Sequence, residues 1–137
     1  MNKTNWLFLM LLAFASFSCD DDDEDVELDV TAPTINITSP APNAVFAPGD
    51  EVQLRAEIRD NLGLETIRVH VTDPGGTSRE VDDDNISDFL NDNREKDLEV
   101  DITIDSQAQD GAYIITIEAI DEQDNTTEQS VTISVMQ

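Results

Sequence analysis

From Thr34 onward, apolar residues recur at every second position, the period of strands with one buried face. Ile35 and Ile37 share a face before the turn-rich run Ser39-Pro40-Ala41-Pro42-Asn43. Val52, Leu54, Ala56 and Ile58 then oppose Gln53, Arg55, Glu57 and Arg59. Asp60-Asn61-Leu62-Gly63 reads as a turn, and Ile67, Val69 and Val71 alternate with Arg68, His70 and Thr72. Asp73-Pro74-Gly75-Gly76 is a strong stop. The cleanest alternation sets Leu98, Val100, Ile102 and Ile104 against Glu99, Asp101, Thr103 and Asp105. Gly111-Ala112-Tyr113 opens a strand with Tyr113, Ile115, Ile117 and Ala119 on one face and Ile114 and Ile120 on the other. Val131, Ile133 and Val135 face inward along a last strand. Residues 81–97 break the pattern. Ile86, Phe89 and Leu90 have helical spacing and predict a short helix, with a poorly alternating edge strand as the competing reading. Strands of this kind, with no long helical period, predict an all-β fold, an antiparallel sandwich of about seven strands.

The N-terminus has a different character. Lys3 precedes an uncharged, largely apolar run from Trp6 to Phe17. That run is shorter than the roughly 20 apolar residues needed to span a bilayer, and it suits the h-region of a signal peptide. Small residues Ala15, Ser16 and Ser18 lead to Cys19, the one cysteine of the chain. The segment resembles a bacterial lipoprotein signal peptide, with Ser16-Phe17-Ser18-Cys19 as its lipobox. Ser16 stands where that motif usually has Leu, and Phe17 is large for its position; relaxed lipoboxes of this kind occur in the Bacteroidetes. The resemblance implies cleavage before Cys19 and a diacylglycerol on its thiol, with palmitate among the expected acyl groups. The competing reading is ordinary secretion with a free thiol.

Asp20, Asp21, Asp22, Asp23, Glu24 and Asp25 follow directly. Such a block repels itself and is expected to be an extended, solvated tether. It resembles the surface-export signal of Bacteroidetes lipoproteins, which implies display on the outer leaflet of the outer membrane. A periplasm-facing lipoprotein with a plain linker is the alternative. The expected organisation is therefore a signal peptide at 1–18, a lipidated, acidic tether at 19–32 and one domain at 33–137.

Charge narrows the partners. Lys and Arg number 7 against 31 Asp and Glu, a formal net charge of −24 over 137 residues. Such a surface repels phosphate backbones, so no nucleic-acid partner is expected. It favours solubility and divalent cations. A single cysteine excludes an internal disulfide and a cysteine-based zinc site.

Residues 29–35 (Asp-Val-Thr-Ala-Pro-Thr-Ile), Ser39-Pro40, Gly49-Asp50-Glu51-Val52 and Asp60-Asn61-Leu62-Gly63-Leu64 resemble bacterial Ig-like domains. Gly111-Ala112-Tyr113 and Asp121-Glu122-Gln123-Asp124-Asn125-Thr126 fit the same pattern. The resemblance covers nearly all of 29–137 and is greatest to an uncharacterised lipoprotein family of the Bacteroidetes with a cadherin-like or fibronectin-III-like sandwich. It implies a His-rich middle segment, of which this chain holds only His70. Tyr113 fits the tyrosine-corner position, where the hydroxyl bonds backbone upstream.

An Ig-like sandwich gathers three segments at one end: the lead-in to the first strand, the loop between the second and third strands, and the loop before the last. Here these carry Glu27 and Asp29, then Asp60 and Asn61, then Asp121, Glu122, Asp124 and Asn125. Calcium takes 6–8 oxygens at about 2.3–2.6 Å, and cadherin-type modules place it at this end. Asp29, Asp60, Asp121 and Asp124 are the nominated ligands; acidic residues that simply cap turns are the alternative. The long Asp73–Asp97 connection, with Asp82, Asp83, Asp84 and Phe89, is expected at the opposite end as a partner surface. A lone His70 on a polar face and the absence of a Gly-x-Ser-x-Gly elbow or phosphate loop argue against catalysis. The expected function is a lipid-anchored, non-catalytic surface module contacting the membrane through its lipid and an unknown protein or glycan through its domain. A calcium-dependent adhesion or carbohydrate-contact module is the alternative, and a small carboxylate hydrolase a remote one.

Overall fold

The computed structural model describes residues 28–87 and 93–137. Cys19, the acidic run 20–25, Glu27, Phe89 and Leu90 lie outside the described residues. The chain folds as β1 (Thr34–Ser39), β2 (Val45–Phe46), β3 (Glu51–Arg59), β4 (Leu64–Thr72), β5 (Ser78–Glu80), α1 (Asp84–Ser87), β6 (Glu95–Thr103), β7 (Gly111–Asp121) and β8 (Thr126–Val135). They form two sheets, β1-β3-β6 and β2-β8-β7-β4-β5. The expected all-β sandwich is what the sequence folds into.

Alternation sets the packing. In β3, residues Val52, Leu54, Ala56 and Ile58 are buried and every intervening residue is exposed. Leu98, Val100 and Ile102 of β6 stand beside them in register, Leu54 opposite Val100. From the facing sheet come Ile67, Val69 and Val71 of β4, Ile115, Ile117 and Ala119 of β7, and Val131, Ile133 and Val135 of β8. The core is aliphatic, and the two described aromatic residues, Phe46 and Tyr113, pack only at its margin. On the outward faces, Arg55 pairs with Glu99 and Arg59 with Glu95 across β3–β6, and Arg68 with Glu118 across β4–β7. Exposed pairs of this kind contribute at most about 1 kcal/mol each. Among the described residues β6 borders no further strand, and Glu95, Asp97, Glu99 and Asp101 are exposed along it.

The sheets depart from uniform antiparallel pairing at one place. β2 runs parallel to β8. Pro40 and Pro42 have no N–H with which to extend β1's ladder. The chain instead crosses to the other sheet without reversing, and bonds there from Asn43 N to Thr132 O and from Ser134 N to Ala44 O.

The 73–97 connection also differs from expectation. Only the β4–β5 hairpin, closed by Asp73 N to Thr77 O, lies at the far end. Val81 N then donates to Val69 O at 2.8 Å, and the chain descends alongside β4. Ile86 of α1 is buried against the core, so the segment contains both the short helix and a short edge strand. Asn93 O accepts from Leu64 N and Arg94 O from Asp60 N, at the Asp60 end. The cause is β6, which is antiparallel to β3 and must begin beside Arg59. Asp82, Asp83 and Asp84 therefore flank the sandwich and do not crown its far end.

Gly111 opens β7 with φ of +145°, and a Cβ there would lie 2.7 Å from Pro74 Cγ and 2.9 Å from Pro74 Cβ. Gly111→Ala is expected to destabilise the domain by about 1–3 kcal/mol, from an unfavourable φ and overlap with the proline ring. A shift of the urea midpoint at constant slope checks it.

Candidate functional site

Three loops meet at one end of the sandwich. Asp29 precedes β1, Asp60 follows β3, and Asp121 ends β7. One carboxylate oxygen from each lies within 4.8 Å of the other two. The strand register explains the convergence: Thr34 is opposite Arg59, and Leu64 is opposite Asp121.

Each aspartate uses part of its carboxylate to shape its own loop. Asp29 Oδ1 accepts from Thr31 N at 2.9 Å. Asp60 Oδ2 accepts from Leu62 N at 2.8 Å and Gly63 N at 2.7 Å. Asp121 Oδ1 accepts from Gln123 N and Asn125 N, both at 2.8 Å, and its Oδ2 accepts from Asn125 Nδ2 at 2.7 Å. Asn125 Nδ2 also donates to Asp29 O at 3.0 Å, joining the lead-in segment to the β7–β8 loop.

The remaining oxygens define the chemistry. Asp29 Oδ2 and Asp60 Oδ1 are both buried and accept no hydrogen bond. Asp121 is wholly buried, and Asp60 is 9% exposed. Buried polar atoms are nearly always partnered, and closely spaced carboxylates repel one another. The hydrogen bond from Thr31 N–H, with a second from the Asn61 side chain, holds the Asp29 carboxyl below the ordinary carboxylate range. It therefore stays an anion at neutral pH. The ion pairs named above lie on the strand faces and do not reach this cluster.

Three of the four nominated ligands thus converge, and Asp124 does not join them. Asp124 holds the left-handed tip of the β7–β8 turn at φ 66°, its side chain exposed. Glu122 is likewise exposed, while Asn125 contributes through hydrogen bonds. At the opposite end, the Tyr113 hydroxyl donates to Gln109 O at 3.1 Å, and its ring packs against the core. Arg79, which strand periodicity did not single out, lies near it on β5, a strand of three residues too short to show alternation.

The two-sheet β-sandwich is a fibronectin-III-like fold. The chain resembles the fibronectin(III)-like modules of Clostridium thermocellum CbhA at TM-score 0.53 and 23% identity, over 79% of this chain and 48% of that one. It resembles a Niemann-Pick type C2 protein from the Japanese carpenter ant at TM-score 0.52 and 11% identity, over 75% and 89% of the two chains. At these identities the likeness concerns the fold. No curated protein matches the chain. Residues 17–136 match the family described as a domain of unknown function (DUF4625), and the chain belongs to that family.

Proposed function

We propose that this chain is a non-catalytic binding module on a lipid anchor, and that its sandwich binds calcium at the tethered end. The observation that carries the reading is the pair of buried, donor-free oxygens, Asp29 Oδ2 and Asp60 Oδ1, gathered with Asp121. Hard oxygen donors with no nitrogen or sulfur among them suit Ca²⁺ or Mg²⁺. Oxygens on opposite sides of one Ca²⁺ stand up to about 5 Å apart, and those on Mg²⁺ about 4 Å. Three oxygens within 4.8 Å of one another are close enough to share one such ion, and calcium is the ion proposed. Asp29 lies where the lead-in joins the domain, so a bound ion ties that segment to the β3–β4 and β7–β8 loops. It thereby sets the direction in which the tether leaves.

Support for the anchor comes from the sequence: Lys3, the apolar run to Phe17, and Cys19 followed by six acids. Two or more acyl chains on one residue hold a domain at a bilayer stably, since each buried CH₂ contributes about 0.8 kcal/mol. Protease shaving of intact cells tests display at the surface, and full protection of the native protein contradicts it.

Thermal unfolding in calcium and in chelator tests the ion site. A ligand bound only to the folded state at one hundred times its Kd stabilises by about 2.7 kcal/mol. For a domain of this size that is a rise of roughly 10 °C. Asp60→Asn is expected to abolish most of the rise. Its amide oxygen can still accept from Leu62 and Gly63, while its NH₂ would face the ion. Identical melting in calcium and in chelator overturns the reading.

A further inference from the structure

At the end of the sandwich opposite the aspartates, the two sheets part around a cavity of about 300 Å³. Val52, Ile102 and Ile104 line it from one sheet, and Val71, Ile115 and Ile133 from the other. Close-packed interiors contain few voids larger than a water molecule. Phe46 and Tyr113 are the two described aromatic side chains; Tyr113 lines this space, and among the described residues no ring fills it. The loop over it brings only Ala108 against the core. That loop is closed on itself by Ala108 N to Asp105 O, Gln107 N to Asp105 Oδ1, and Tyr113 Oη to Gln109 O.

One charged residue at the mouth breaks the pattern of the surface. Arg79 is opposite Val71 in the β4–β5 register. Directly opposed residues share a face, so Arg79 stands on the side of β5 that Val71 turns toward the core. It lines the cavity. Arg55, Arg59 and Arg68 each pair with a glutamate, whereas the guanidinium groups of Arg79 and Arg94 form no hydrogen bond or ion pair among the described residues, and of these two only Arg79 stands at the mouth. Asp73 and Asp105 also line the mouth, each with an oxygen engaged by its own loop, Asp73 Oδ1 by Thr77 N and Asp105 Oδ1 by Gln107 N.

We propose that this cavity binds a small monocarboxylate with an apolar body of about ten non-hydrogen atoms, its tail between the sheets and its carboxylate on Arg79. The size follows from comparison: an engineered apolar cavity of about 150 Å³ holds benzene, and this half-open pocket has twice the volume, shared between its apolar floor and the polar mouth at Asp73, Arg79 and Asp105. The head group follows from the unpaired guanidinium, whose fork of donors matches a carboxylate.

Methyl NMR of the full-length chain, titrated with octanoate and separately with octanol, tests the proposal. Octanoate is expected to move the methyl signals of Ile102, Ile104, Ile115 and Ile133 saturably while leaving Ile58 and Leu64 unmoved. Arg79→Gln, at an exposed position, is expected to weaken octanoate about tenfold or more and to leave octanol unchanged. Ala108→Leu is expected to weaken both by occupying the void. Absence of saturable shifts at millimolar octanoate overturns the cavity site. Equal octanoate affinity in the parent and Arg79→Gln overturns the carboxylate assignment. Both outcomes are independent of calcium.

Discussion

Leu54→Ala is expected to cost the sandwich about 3–4 kcal/mol, read as a fall in the urea midpoint at unchanged slope. Leu54 is fully buried at the middle of β3, the central strand of its sheet. Val100 stands beside it on β6. The change removes apolar contact and leaves a hole that β-sheet backbones on both sides prevent from collapsing. A native domain has only about 5–15 kcal/mol of stability, so the loss is a large share of it. Gln53→Ala, one residue earlier but outward, is expected to stay within about 0.5 kcal/mol. Comparable losses at both positions would contradict the two-sheet packing.

Asp121→Ala is expected to cost about 3 kcal/mol in calcium. The carboxylate holds three donors, Gln123 N, Asn125 N and Asn125 Nδ2, in a place closed to water. Truncation strands those donors and frees the β7–β8 turn, and hydrogen bonds to a charged partner are worth about 1.5–3 kcal/mol each. An opposing effect reduces the sum, because removing one carboxylate relieves repulsion on Asp29 and Asp60. On the proposed calcium binding, the ion cancels that repulsion in the parent protein. The cost should therefore be smaller in chelator, and a double comparison of parent and variant with and without calcium reads the difference directly. An equal cost in both conditions would show that Asp121 acts on the turn alone.

The strands were legible because their period is simple. Val52 to Ile58, Leu98 to Ile104 and Tyr113 to Ala119 each repeat every second residue, and each became a long strand with its apolar face inward. β2 and β5 were not legible, because two and three residues cannot display a period. Their positions depend on tertiary partners, β8 and β4. The aspartates were legible in part. A sandwich brings its lead-in, β3–β4 turn and β7–β8 turn together whatever the detail, which placed Asp29, Asp60 and Asp121. Which acid of the last turn faces inward depends on its backbone. Asp121 still belongs to β7, while Asp124 adopts a left-handed φ at the tip. The cavity had no signature along the chain. It arises from how far two sheets part, a quantity that no run of residues encodes.

Among the described residues no strand pairs with the outer side of β6, and this bears on life in a crowd. Exposed backbone at a sheet margin invites an identical neighbour to add itself as one more strand, the first step toward fibres. Glu95, Asp97, Glu99 and Asp101 would line up against their own copies on any such neighbour. Packed side by side at high density, these molecules should repel along that margin and remain separate.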